Sequence, residues 1–121
     1  MTLNEYQEKA MVTCMPSCKN EIYAINGLMA EVGEINDKIA KGVRKGILRI
    51  DNNRLVWDTT SEEDVAEYRK GLILEAGDCL WMLALLSRQL GYTLDEMAMA
   101  NVEKLRDRAT RGVIDGEGDH R

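Results

Sequence analysis

Residues 71–87 read GLILEAGDCLWMLALLS, and the only charged side chains in the stretch are Glu75 and Asp78. A segment this apolar and this long predicts a helix that must be covered on most sides. Two acids three residues apart lie on one face of such a helix. An isolated buried carboxylate is costly, so it takes up a proton, pairs with a cation or binds a metal. A second pair with the same spacing, Glu31 and Glu34, occurs upstream in GLMAEVGEINDKI (27–39). If the two helices pack together, four carboxylates face one hard cation.

The rest of the chain supports an all-α reading. A first short helix is expected from Leu3 to about Thr13, ending before Pro16. The second runs from about Asn20 to Lys41, with Ile25, Leu28, Met29, Val32, Ile35 and Ile39 at helical spacing and Gly42 as its expected C-terminal cap. Ile47, Leu48 and Ile50, then Asn52-Asn53, then Leu55 to Trp57 read as two short strands about a tight turn, because Asn tolerates the left-handed backbone such a turn needs. The third helix is expected from Ser61, paired with Asp64 in a capping-box pattern, to about Leu90 before Gly91. Thr93 and Glu96 form a cleaner box at the start of the fourth, which runs to about Arg111. The remainder, GVIDGEGDHR (112–121), is rich in glycine and acids and is expected to be a flexible tail.

The 121 residues suit a single domain, 45% hydrophobic and 31% charged. A net charge of −5 offers no general attraction for nucleic acid or an anionic membrane. The start carries charges where a leader needs an apolar core, and the uncharged run from Cys79 to Leu86 is too short to span a bilayer, so a cytoplasmic protein is expected. Three cysteines, 14, 18 and 79, suit reduced thiols, and with His120 they match no standard zinc-finger spacing. The third helix is apolar nearly all round from Leu72 to Leu86, and four helices from one short chain cover it only in part. A homodimer or larger assembly follows as an expectation.

Four oxygen ligands from Glu31, Glu34, Glu75 and Asp78 suit Mg²⁺, with Mn²⁺ as a substitute, better than zinc. Mg²⁺ in proteins commonly retains positions for water and substrate phosphates, so an acidic chain with such a site points to a phosphate-bearing substrate. Gly33 and Gly77, inside the two acidic motifs, cost helix stability and are expected where the helices approach closely. Asn101, Lys104 and Arg108 form one stripe of the fourth helix, able to neutralise phosphate oxygens. Lys38 lies one turn beyond Glu34, placed to pair with a carboxylate or reach a phosphate. Each motif also has a plainer reading. Glu31 and Glu34, or the stripe on the fourth helix, are individually most often solvated faces; Trp57, Trp81, Tyr6 and Tyr23 are most often packing. Cys79 has no histidine base beside it and reads as packing too.

The combination of GLMAEVGEINDKI with LILEAGDCLWMLALLSRQLGYTLDEMAMANVEKLRDR (72–108) resembles the MazG-like nucleoside triphosphate pyrophosphohydrolases of the all-α NTP pyrophosphatase superfamily, over about Tyr6 to Arg111. The resemblance implies a four-helix MazG-like bundle core assembled as dimers or tetramers. It implies hydrolysis of a nucleoside triphosphate to the monophosphate and pyrophosphate, with Glu31, Glu34, Glu75 and Asp78 as metal-binding catalytic residues. It also places Lys104 and Arg108 on phosphate, with Asn101 in the matching asparagine position. One departure stands out. The stretch from 35 through 74 is longer than the family's usual gap, and the excess holds the predicted hairpin (about 47–58), with Trp57 at its end as a candidate base-stacking residue. Two rivals accompany this reading: a hydrolase of another nucleotide phosphoanhydride, and a non-catalytic helical module whose acids pair with Lys38, Lys104 and Arg108.

Overall fold

The computed structural model describes residues 1–119. The elements follow in the order α1 (Leu3–Met11), a 3₁₀ turn (Pro16–Cys18), α2 (Glu21–Arg44), β1 (Leu48–Asp51), β2 (Arg54–Trp57), α3 (Glu62–Gln89) and α4 (Leu94–Thr110). The fold is all-α with a two-stranded antiparallel hairpin between α2 and α3.

Local chemistry sets the helix starts. Thr2 and Thr93 each form a full capping box, with Glu5 and Glu96 respectively. The Asn20 side chain accepts from the Tyr23 amide at 2.7 Å. Ser61 caps α3 by accepting from the Asp64 amide at 3.2 Å, but the box is only half made, since the Asp64 carboxylate accepts from the Thr59 hydroxyl at 3.4 Å instead. In the hairpin, Leu48 faces Trp57 and Asp51 faces Arg54. Asn52 and Asn53 carry φ of 52° and 60°, the two positive values that a turn matched to strand twist requires.

Two glycine assignments differ from expectation. Gly42 does not cap α2, which continues to Arg44 and ends where Gly46 takes φ of 70°. Gly42 is instead buried under the hairpin, where an added Cβ would fall 2.8 Å from Leu48 Cδ2 and 3.0 Å from Tyr68 Cε1. Packing of the hairpin on the last turns of α2 therefore overrides the local stop signal. Gly33 and Gly77 likewise have nothing within 4 Å of an added Cβ. The close approach of α2 and α3 occurs elsewhere, at Gly27, where a Cβ would lie 2.5 Å from Met82 Sδ.

The pairings Gly27 with Met82, Glu31 with Asp78, Lys38 with Gly71 and Gly42 with Tyr68 show that α2 and α3 run antiparallel along most of their length. The buried core, Met11, Cys14, Ala24, Ala84, Leu85 and Leu94, gathers where α1, the start of α2, the end of α3 and the start of α4 meet. Gln7 ties that junction together. Its Nε2 donates to Ala84 O at 3.0 Å and Ser87 Oγ at 2.8 Å, while its Oε1 accepts from the Leu94 amide at 3.2 Å. Trp81 packs beside it and donates to Ala10 O and Thr13 Oγ1.

Candidate active site

The middle of α2 and the middle of α3 bring three of the four expected acids together. One carboxylate oxygen each from Glu31, Glu75 and Asp78 lie within 4.8 Å of one another. The antiparallel register makes this happen: each acid sits on the shared α2–α3 face, and Glu31 and Asp78 fall at the same level. Glu34, one turn further along α2, is exposed and stands outside that three-oxygen group.

The electrostatics follow from the crowding. Burial, and then the negative charges of Asp78, Glu75 and Glu34, push the Glu31 carboxyl above its usual value. Burial, and then the charge of Asp78, push the Tyr6 phenol of α1 above its usual value. Burial and then the charge of Glu31 raise the Cys79 thiol, so it is not an activated nucleophile. One cation already answers the acids: Lys38 Nζ lies 3.1 Å from Glu75 Oε1. Three hard oxygen donors from two packed helices could hold a divalent cation.

The stripe on α4 forms a second group. Arg108 is buried, 5% exposed, and its Nη2 donates to Asp119 Oδ1 at 3.3 Å and to Gly118 O at 3.4 Å. Its Nε has no hydrogen-bond partner among the described residues. Lys104 Nζ lies 3.8 Å from the same Asp119 oxygen, so both cations converge on one point, while Asn101 is exposed. Residues 112–119 form turns, and the Val113 amide donates to Arg108 O at 3.0 Å.

Trp57 is not an open platform, because the Arg69 guanidinium stacks over its ring at 5.5 Å from the centroid. His120, considered with the cysteines as a zinc donor, lies outside the described residues; Cys14 is buried, and Cys18 and Cys79 are half-buried free thiols. Sequence reasoning singled out Lys38 but not lysines 41, 45 and 70, which border the same pocket beside it. The signal for two of those was present, since Lys38, Lys41 and Lys45 follow i, i+3, i+7 spacing. Among the described residues, no helix is long and apolar enough to cross a membrane.

An acidic cluster between two antiparallel helices, with a separate cationic stripe on a fourth, defines an all-α protein with a carboxylate-lined groove. The family follows directly: the MazG nucleotide pyrophosphohydrolase domain matches residues 20–113, and the chain belongs to that family. It is also 37% identical over 99 residues to the "Gene 37 protein" of Mycobacterium phage L5, covering 82% of this chain and 75% of that protein. No solved structure matches significantly.

Proposed function

We propose that this chain is a Mg²⁺-dependent nucleoside triphosphate pyrophosphohydrolase, producing a monophosphate and pyrophosphate, with Mn²⁺ as an alternative ion. The convergence of Glu31, Glu75 and Asp78 within 4.8 Å carries this reading, together with the family. Glu34 completes the set as a fourth carboxylate from the next turn. Bound there, the ion would neutralise phosphate oxygens and acidify a water. The chain's own residues do the rest. The two helices hold the acids in place before substrate arrives, so little reorganisation is needed. A carboxylate of the group accepts the proton of the attacking water. Lys38, Lys104 and Arg108 offset charge on the phosphates, and Asn101 hydrogen-bonds from the same face of α4.

Clearance of non-canonical or surplus nucleotides from a cytoplasmic pool is the role this chemistry would serve. A second copy belongs in the assembly, since Ile73 is 72% and Leu74 59% exposed on the apolar helix, and Met29 and Val32 are exposed on α2. The open space over Gly33 and Gly77 leaves room for it.

The Lys38–Glu75 ion pair favours one other reading, a helical module in which the acids serve only as structural partners. Pyrophosphate release from a panel of canonical and modified nucleoside triphosphates, with and without Mg²⁺, separates the two. Metal-dependent release supports the enzyme. No release by a folded protein that also shows no Mg²⁺ binding by calorimetry supports the module.

A further inference from the structure

Lys41, Lys45 and Lys70 have no part in the reaction proposed above, yet they meet in one place. With Lys38 and Tyr68 they border a cavity of about 370 Å³ between the later turns of α2 and the earlier turns of α3. That volume suits a small molecule rather than a single ion. Glu67 is the one acid on its border among the described residues, so four cations converge there in a chain of net charge −5. Three of the four stand on α2 at i, i+3 and i+7, where like charges one turn apart repel.

Helix chemistry accounts for only part of this convergence. The C-terminal dipole of α2 favours Lys41 and Lys45, but its pull fades beyond the last turn. Lys70 stands about two turns into α3, out of reach of the dipole at either end. Lys41 pairs with Asp37, whereas Lys45 and Lys70 form no ion pair among the described residues. The Tyr68 hydroxyl makes no hydrogen bond among the described residues either, which leaves a neutral donor beside the cations.

We propose that this cavity is a regulatory anion site, separate from the acids, that takes a small polyanion of the di- or triphosphate class. On the function proposed above, substrate phosphates meet Lys104 and Arg108 on α4, which leaves the lysine cavity to a different anion. The site needs no metal and does not depend on that function. Lys38 joins it to the acidic group. The Lys38 stem crosses Gly71, where an added Cβ would lie 3.5 Å from Lys38 Cδ, and its Nζ reaches Glu75 Oε1 at 3.1 Å. An anion in the cavity competes with Glu75 for that ammonium. Filling the cavity therefore releases the Glu75 carboxylate, and removing the Glu75 charge frees Lys38 for the anion. The coupling is reciprocal, carried by one side chain with two alternative partners.

The full chain is titrated by calorimetry with tripolyphosphate in EDTA. Without metal the acidic group repels a polyanion, so binding under these conditions reports lysines rather than the carboxylate site. Saturable binding is expected, weakened at least about tenfold in Lys45→Gln/Lys70→Gln and unchanged in Lys104→Gln and in Lys9→Gln/Lys19→Gln. Glu75→Gln is expected to tighten it by up to about fivefold, the scale of one exposed ion pair, and to lose that effect once Lys38 is also Gln. A nucleoside triphosphate in the same buffer identifies the source of the phosphates. Affinity equal to that of tripolyphosphate supports a site that reads phosphate alone, and higher affinity supports one that holds the nucleoside too. The proposal is overturned if folded wild type binds no tripolyphosphate, if the Lys45/Lys70 variant binds as wild type, or if Lys104→Gln or the Lys9/Lys19 control loses as much. Binding that emerges only when Ile73→Glu opens the assembly also overturns it, because a second copy then fills the cavity. Equal tightening by Glu75→Gln with or without Lys38 removes the coupling. A chain that binds tripolyphosphate in this pattern yet hydrolyses no nucleotide would sink the reaction and leave the site standing.

Discussion

The Asp119 carboxylate lies 3.3 Å from Nη2 of Arg108, an exposed tail acid resting on a buried cation. The same oxygen is 3.8 Å from Lys104, so the tail occupies the point at which the α4 stripe would meet a phosphate. On the function proposed above, an anionic substrate would compete with this carboxylate for one pair of charges.

Asp119→Asn should therefore lower KM for the nucleotide by up to about fivefold, the scale of an exposed ion pair, and leave kcat unchanged. Arg108→Ala should raise KM by about tenfold or more, the scale of a charged hydrogen bond to phosphate, while Mg²⁺ binding is retained. Steady-state kinetics with calorimetry check both. Unchanged kinetics in the alanine variant would return Arg108 to a structural role.

Glu75→Gln removes one of the three converging charges and the partner of Lys38. Hydrolysis should fall by about a hundredfold or more, several kcal/mol of lost charge stabilisation, with far-UV circular dichroism nearly unchanged. Full activity would take Glu75 out of the site.

Glu31 gives a pH signature. Burial and its acidic neighbours raise its folded-state value, so the metal-free folded protein holds more protons there than the unfolded chain does. Stability then falls as pH rises from the ordinary carboxylate value through the raised one. Glu31→Gln should accordingly raise Tm at pH 7 in the presence of EDTA, and the gain should vanish at a pH below the ordinary carboxylate range. Thermal melts at the two pH values decide it; a variant less stable at pH 7 contradicts the crowding.

The partner copy proposed above would cover the exposed apolar residues of α2 and α3. Light scattering should report a dimer or tetramer for wild type, and Ile73→Glu, at a residue 72% exposed in the protomer, should shift it towards monomer. A stable wild-type monomer would remove the partner copy.

Gln7→Ala tests the junction of α1, α3 and α4. It leaves the buried Leu94 amide without its acceptor and removes a donor to Ser87 Oγ, which keeps its own bond to Ala84 O, and should cost about 1–3 kcal/mol in denaturant unfolding, without altering Mg²⁺ affinity.

Much of this was written locally in the chain. The Thr93–Glu96 box, the Asn52-Asn53 turn and the apolar length of α3 depend on neighbours in sequence, and local hydrogen bonds or backbone preferences are enough to specify them. Glu75 and Asp78 stood out because their stretch is otherwise apolar, and Glu31 and Glu34 because they repeat the spacing; the structure brings three of the four together, with Asp78 exposed and Glu34 outside the group. What local signals could not supply was the register between helices. Gly42 looks like a helix stop until the hairpin packs on it, and Gly33 and Gly77 look like contact points until Met82 meets Gly27 instead. Gln7 and Tyr6 read as ordinary residues of a short helix, because their partners lie some seventy or more residues away. The convergence of Lys70 with Lys38, Lys41 and Lys45, and of Asp119 with Arg108, likewise joins separate segments. Helix formation follows from near neighbours, whereas the placement of one helix against another follows from side-chain packing across the interface, and that packing exists only once the chain has folded.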